Sequence, residues 1–229
     1  MQSNLARKLS GVLLIVSLLL FSIWVARYAL ADFYYQRSKT AYGQLDISAL
    51  SYSHELDEVV NDINSSLELR RSAADALDFK ANLLYQSWWL SPDGQYLDDS
   101  LLLQQALLLH LEALEIRRGW AFSAARLALI HSHQAKLDDN FDQWFTEAHR
   151  LGLYETSIAR SLMVIGLSNW ARLSEQQKSL TIDFARASIE QKANSTAKMT
   201  AFLDGYQKRR EVCNSLADTP RKIKVCESL

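Results

Sequence analysis

The chain has 229 residues, of which 48% are hydrophobic and 22% are charged, and its net charge is −1. This length suffices for one globular domain with a sizeable core, and the near-zero net charge argues against nucleic acid as a partner and against extensive disorder. Only seven glycines and two prolines are present. Because tight turns rely on these residues, the composition predicts long helices.

Residues 1–31 are predicted to form a cytoplasmic stub and a transmembrane anchor. Arg7 and Lys8 precede an uncharged run over positions 9–26, which is close to the length that crosses the hydrocarbon core of a bilayer. Positive charge before the run places the N-terminus in the cytoplasm and the rest of the chain outside. A signal peptide cleaved after Ala31 is the alternative, since residues 29–31 have the small-x-small pattern of a cleavage site. Under both interpretations the chain beyond residue 31 is exported from the cytoplasm.

Beyond the anchor, residues 32–44 form a predicted aromatic and polar connector, and residues 45–212 carry a helical period. A first apolar helix face is formed by Leu56, Val59, Val60, Ile63 and Leu67. A similar pattern continues over residues 69–88. The turn signal Ser91-Pro92-Asp93-Gly94 ends it.

The second half of the chain predicts further helices joined by short loops. Gly119 ends a helix that starts at Asp98, because a residue without a side chain permits a left-handed cap. Asn140 with Gln143 and Ser174 with Gln177 have capping-box spacing. The predicted helices are 121–135, 140–152, 154–173, one that opens at 174, and 195–212.

The loop lengths decide the architecture. Helices joined by such short loops lie antiparallel to their neighbours, since the loops leave no room for a crossover. No stretch alternates as a strand would between turn signals. The sequence therefore predicts an all-α fold, with one transmembrane helix followed by a short array of antiparallel helical hairpins.

Short matches recur along the chain at an offset of roughly 34 residues, which is the length of a tetratricopeptide repeat. The predicted hairpin array is therefore tetratricopeptide-like, and the small residues in these matches would let neighbouring helices approach closely. The matching pairs are Glu112-Ala113 with Glu147-Ala148, Gly119 with Gly152, and Ala125-Arg126 with Ala159-Arg160.

Cys213 and Cys226 are the only cysteines, and both lie near the C-terminal end. A cysteine pair in an exported domain favours a disulfide over a metal or redox site. We expect the bond to close the C-terminal tail, residues 213–229, which would otherwise fray.

Four residues around Gly119 are candidates for partner binding: Arg117, Arg118, Trp120 and Phe122. Aromatic and guanidinium groups can stack on a sugar ring and donate to its hydroxyl groups. The same aromatic rings can instead pack between consecutive helices. These two interpretations remain open from the sequence.

Trp88 and Trp89 are a further candidate pair for a partner contact. Adjacent residues of a helix cannot share one narrow face. At least one of the two indoles is therefore expected to be exposed.

Catalytic and metal-binding patterns are weak, so no cofactor and no metal are predicted. His131 and His133 have a spacing that points their rings away from each other on a helix. The acidic pairs Asp98-Asp99 and Asp138-Asp139 fit helix starts, where carboxylates cap free N–H groups. Glu112 and Glu147 are the interior carboxylates that a glycan-cleaving enzyme would need.

Over about residues 100–175 the chain resembles the VpsP-type polysaccharide biosynthesis family. These are membrane-anchored, tetratricopeptide-like proteins of Gram-negative exopolysaccharide operons, and this chain differs from the family at Arg118-Gly119 and Ala121. The resemblance is carried by Arg117, Trp120, Phe122, Ala125-x-Leu127-Ala128, Phe141, Ala148, Leu151-Gly152, Tyr154-Glu155, Gly166-Leu167, Trp170 and Leu173.

The resemblance implies a bacterial inner-membrane protein whose periplasmic domain takes part in exopolysaccharide or capsule assembly and export. We expect a non-catalytic scaffold that holds another subunit of that machinery on a helical surface. Two alternatives stay open. One is a helical glycosidase or lyase that acts on the polymer, and the other is an assembly factor for a different envelope complex.

Overall fold

The computed structural model describes residues 2–45, 54–90, 97–134, 136–190, 196–215 and 225–226. Within these ranges, residues 2–10, 54–55, 97–100 and 196–197 are described by their backbone alone. The described residues are helical and contain no strand, which confirms the all-α prediction. The α-helices are α1 (Gln2–Gln44), α2 (His54–Leu69), α3 (Ala74–Leu90), α4 (Leu97–Ile116), α5 (Ala121–His133), α6 (Asp139–Gly152), α7 (Thr156–Ser168), α8 (Glu175–Glu190), α9 (Thr196–Gly205) and α10 (Arg209–Ser215).

The chain forms two compact units, residues 1–106 and 107–229, with the boundary inside α4. This division differs from the single helical domain predicted over residues 45–212. The first unit contains the apolar segment, and the second contains the repeat-like hairpins.

Helix α1 is long and apolar enough to cross a membrane. The side chains from Gly11 to Arg27 are exposed along its length, as expected of a helix whose surroundings are lipid. Further along, Ala31 and Ser38 are fully buried. One helix therefore joins the apolar segment to the packed part of the first unit.

The predicted connector, residues 32–44, is part of α1. Its buried positions follow the three-and-four spacing of a helix face, with Tyr35, Ser38 and Tyr42 directed toward the other helices. Polar residues between them hide this spacing in the sequence. The Tyr35 and Tyr42 rings meet Phe79 of α3 edge to face, with centroids 6.0 and 5.7 Å apart.

Helix α2 runs antiparallel to α1, as three contacts along the pair show. The Ser38 hydroxyl donates to the Val59 carbonyl at 2.8 Å, and the Arg37 guanidinium forms a two-pronged ion pair with Asp62. The Arg27 Nε donates to the Leu69 carbonyl at 2.7 Å. As the chain proceeds along α2, its contacts move back along α1 toward the apolar segment.

In the second unit, α5 packs on α6 and α7 packs on α8, while α5 also contacts α7 and α6 contacts α8. This is the side-by-side stacking of helical hairpins. The Phe141, Phe145 and Phe184 rings form the centre of the core, with neighbouring centroids 5.2 and 5.4 Å apart. The four repeated alanines, Ala113, Ala125, Ala148 and Ala159, are all buried.

One of the two predicted capping boxes forms. The Ser174 hydroxyl accepts from the Gln177 amide at 3.2 Å, and the Gln177 side chain accepts from the Ser174 amide at 2.8 Å. At the start of α6 the prediction of Asn140 with Gln143 is wrong. Asp138 caps this helix instead, accepting from the Phe141 amide at 3.1 Å.

The helix predicted over residues 195–212 is divided into α9 and α10. Gln207, between them, has a left-handed backbone with φ of 55°. The buried Arg209 explains the break, because its Nε donates to the Val225 carbonyl at 2.7 Å and its Nη1 contacts Asp204. Cys213 and Cys226 form a disulfide with Cα atoms 5.9 Å apart. The other tail residues, 216–224 and 227–229, lie outside the described residues.

Candidate functional site

The first elbow of the second unit is the turn between α4 and α5. Gly119 has φ of +83°, a left-handed conformation that strains residues with a side chain. Helix α4 ends at Ile116, three residues before the predicted end, and Gly119 has the left-handed conformation predicted for it. The turn exposes the two arginines that precede Gly119.

The elbow aromatics and the elbow arginines have different environments. The Arg117 guanidinium lies 3.6 Å from the centroid of the Trp120 ring, and the Phe122 ring is 5.2 Å from Trp120. Phe122 packs against the core of the second unit. The Trp120 Nε1 is buried and has no hydrogen-bond partner among the described residues. The aromatic rings thus act first as packing groups, while Arg117 and Arg118 are exposed.

A second elbow, between α6 and α7, lies directly against the first. A side chain at Gly119 would have the Leu151 Cδ2 as its nearest neighbour, at 3.7 Å. A Cβ atom at Gly152 would come within 2.9 Å of the Ala121 Cβ. Gly152 is therefore the residue that lets the two elbows pack together.

Tyr154 is the exposed aromatic of this second elbow, with 81% of its surface accessible. It was not among the predicted site residues, although it follows Trp120 by one repeat length. We call the surface formed by Arg117, Arg118, Trp120 and Tyr154 the elbow edge. It presents two guanidinium groups and a phenol, and such groups are enriched at binding surfaces.

Trp88 and Trp89 lie on α3 in the first unit and form a candidate surface of their own. Trp88 is half-buried, while 57% of the surface of Trp89 is accessible. Their ring centroids are 6.1 Å apart. The expectation that at least one indole is exposed is confirmed.

Two of the carboxylates considered for catalysis, Glu147 and Asp138, make structural contacts. Arg150 donates to both oxygens of Glu147, at 2.8 and 2.6 Å, and these hydrogen bonds lower the pKa of Glu147. A general acid of a glycosidase needs a raised pKa. Asp138 caps α6, and Glu112 is exposed on α4. The side chains of Asp98 and Asp99 lie outside the described residues.

A shallow depression on α6 and the start of α8 contains two carboxylates, Asp142 and Glu147. Asp142 accepts a hydrogen bond from the Gln177 amide group at 3.2 Å. Within this depression, one carboxylate is therefore paired with Arg150 and the other supports the contact between α6 and α8.

In the histidine pair on α5, His131 is buried and His133 is half-buried. The His131 Nδ1 lies 3.7 Å from an Asp138 carboxylate oxygen, and burial lowers the pKa of both His131 and His133. The described side chains contain no group of three or more His, Cys, Asp or Glu residues arranged to hold a metal ion.

Comparison with known protein families and with curated proteins gives no match to this chain.

Proposed function

We propose that this protein is a membrane-anchored, non-catalytic adaptor for exopolysaccharide or capsule biosynthesis and export. Its α1 helix would hold it in the bacterial inner membrane through residues 9–26, with the N-terminus in the cytoplasm and the chain beyond the anchor in the periplasm. The elbow edge would bind another subunit of the polymer assembly machinery.

The observation that carries the proposal is the exposed elbow edge. Arg117 and Arg118 are exposed at the turn that contains Gly119, and this turn lies beside Leu151 of the second elbow. Guanidinium groups and tyrosine favour a protein partner that presents carboxylates.

Membrane attachment would make a modest affinity sufficient. An anchored protein meets membrane-bound partners at a raised effective concentration. The continuous α1 helix supports retention of the anchor, because Ala31, the last residue before the alternative cleavage point, lies inside this helix and is buried.

Two further features support the compartment and the process. Disulfides persist in oxidising compartments such as the periplasm, and Cys213 and Cys226 are paired. The resemblance to the VpsP-type family, which includes Trp120, Gly152 and Tyr154, supports a role in polysaccharide assembly.

The test is complementation of a deletion strain in the native host, with secreted polysaccharide as the readout. The wild-type chain should restore polymer yield, and a chain carrying Arg118→Glu and Tyr154→Ala should not. A matched control carries Arg160→Glu and Lys136→Ala, two changes at other exposed positions of the second unit. Both variants should reach the membrane in wild-type amounts, with unchanged melting temperatures.

A deletion strain with normal polymer yield would contradict the proposed process. Equal yields from the two variants would contradict the assignment of the elbow edge. The enzyme alternative is tested by incubating the purified protein with the host polysaccharide and measuring reducing ends. New reducing ends would establish glycan cleavage and overturn the adaptor proposal.

A further inference from the structure

The turn between α2 and α3 lies level with the end of the apolar segment of α1. Arg27 is the first charged residue after the uncharged run over positions 9–26. In a membrane-spanning helix this position lies at the boundary between hydrocarbon and headgroups. Trp24 and Tyr28 flank it, with ring centroids 4.4 Å apart, and aromatic residues of this type concentrate at that boundary.

Arg27 holds the end of α2 at this level. Its guanidinium donates to the carbonyls of Leu69 at 2.7 Å and Glu68 at 3.3 Å. These carbonyls belong to the last turn of α2 and have no partner within the helix. The side chain at the membrane boundary therefore fixes the C-terminus of α2 beside it.

The next two residues place more positive charge at the same level. Arg70 and Arg71 are both exposed, and the Arg70 guanidinium lies 4.9 Å from the centroid of the Tyr28 ring. Ser72 completes the exposed turn before α3 begins at Ala74.

We propose that Arg70 and Arg71 bind the phosphate groups of anionic lipids in the leaflet where α1 leaves the membrane. Arginine offers a planar set of donors that matches a phosphate. A basic residue close to a membrane surface is attracted to anionic lipid. This inference rests on the membrane anchoring in the proposed function, and it assigns a ligand class to a surface away from the elbow edge.

The neighbouring carboxylates explain why the lipid contact depends on the anchor. Glu68 and Asp75 are exposed on either side of the turn, so the local net charge is small. A surface of this kind binds phosphate weakly from solution. The anchor keeps it at the headgroups, where the effective lipid concentration is high.

The contact has a mechanical consequence for the first unit. Helix α2 is tied to α1 by the contacts of Ser38 with Val59, Arg37 with Asp62 and Arg27 with Leu69. Headgroup contacts at Arg70 and Arg71 would add a second attachment to the bilayer beside α1. The first unit would then have a defined orientation on the membrane surface.

The experiment uses the full-length protein in lipid nanodiscs, with an environment-sensitive fluorophore attached through Ser72→Cys. The native cysteines are disulfide-bonded, so the new thiol is labelled without reduction. A matched label through Gly43→Cys lies about 24 Å beyond Arg27 along α1, at about 1.5 Å per residue. Lipids that carry a quencher on the headgroup report contact with the membrane surface.

We expect strong quenching of the label at position 72 in phosphatidylglycerol nanodiscs, weaker quenching in phosphatidylcholine, and little at position 43. Arg70→Gln with Arg71→Gln should abolish the difference between the two lipids. Arg160→Gln with Arg210→Gln, which removes equal charge from the second unit, should preserve it. Inorganic phosphate added to phosphatidylcholine nanodiscs should leave the signal unchanged.

Equal quenching in both lipids, or no effect of the Arg70 and Arg71 substitutions, would overturn the headgroup inference and leave the anchor intact. A response to inorganic phosphate alone would assign the site to a soluble anion and overturn it as well. Failure of the protein to enter nanodiscs would instead contradict the anchoring on which both proposals rest.

Discussion

At the scale of single residues, two glycines serve different purposes. Gly119 has a positive φ, and a Cβ atom there would meet only the Leu151 Cδ2 at ordinary contact distance, so its role is conformational. Gly166 lies in α7, where a Cβ atom would overlap the Thr181 side chain, so its role is to allow close packing. The first role could be predicted, because a glycine after a helical period signals a left-handed cap. The second depends on which residue faces Gly166, and that is set by the tertiary fold.

Gly119→Ala is expected to lower the free energy of unfolding by about 1 kcal/mol, since alanine is strained in a left-handed conformation. The nearest atom to the new Cβ would be at ordinary contact distance, so no steric clash adds to this cost. Urea unfolding of the detergent-solubilised full chain measures it.

Gly43→Ala is the matched control, because it lies in α1 with no neighbouring atom in contact range of a new Cβ and a normal helical φ. It should leave stability unchanged or raise it slightly. Equal losses from the two substitutions would contradict the conformational role of Gly119.

The buried histidine on α5 predicts a pH dependence. Burial lowers the pKa of His131, Lys136 adds to this effect, and Asp138 opposes it. Because the unfolded chain binds a proton at His131 more readily, this contribution to stability is complete above about pH 6.5 and is lost as the pH falls through the folded-state pKa.

The wild-type chain should therefore lose melting temperature between about pH 7.5 and pH 5.5, and His131→Gln should lose less. His133 and His149 also have lowered pKa values, mainly through burial, so the variant should flatten the profile without abolishing it. The informative quantity is the difference in melting temperature between the two pH values, compared for the wild-type chain and the variant. Identical differences for both chains would refute the assignment to His131.

At the scale of helices, short sequence patterns predicted a helix end only where contacts between residues close in sequence determine that end. Ser174 and Gln177 form the capping box that their spacing predicts. At α6 an equally local competitor, Asp138, takes the cap at an earlier position than the Asn140 pattern implies. The break before α10 follows Gly205, at which α9 ends, whereas the contact from Arg209 to Val225 joins residues distant in sequence.

The contact between α7 and α8 depends on the absence of a side chain at Gly166. Gly166→Ala would place a methyl group against Thr181, and overpacking of this kind costs about 1–3 kcal/mol. A second substitution, Thr181→Ala, removes the two atoms closest to the new methyl group.

The double variant should therefore be more stable than Gly166→Ala alone, although Thr181→Ala by itself should be neutral or destabilising. Urea unfolding of the wild-type chain, the two single variants and the double variant gives the coupling free energy between positions 166 and 181. Additive losses would contradict the proposed contact.

At the scale of the whole molecule, the sequence predicted the all-α fold and the apolar first helix, but not the division into two units. The helical period of α1 is masked by polar residues over 32–44, so the packing of this segment on α2 could not be recognised. Tyr154 was missed as a site residue because its exposure depends on the elbow between α6 and α7. The composition of the elbow suggested the arginines, and in the structure Arg117 lies on the Trp120 ring while Phe122 packs against the core.

The disulfide should stabilise the C-terminal part of the second unit. Closing a loop of this length lowers the conformational entropy of the unfolded chain, which raises the free energy of unfolding by about 3 kcal/mol. Cys213→Ser with Cys226→Ser should lower the free energy of unfolding by about 2–3 kcal/mol. Reduction should destabilise the wild-type chain to a similar degree and leave the double variant unchanged, and a wild-type chain insensitive to reduction would contradict this role.

The adaptor account is tested most directly by photo-crosslinking in living cells of the native host. A photoreactive amino acid replaces Arg118 on the elbow edge in one strain, and Arg160 on an exposed part of α7 in a second strain. We expect a discrete crosslinked product from position 118 only, containing a subunit of the polysaccharide assembly machinery. Absence of any product at position 118, or the same products at both positions, would contradict the central claim that the elbow edge holds a partner.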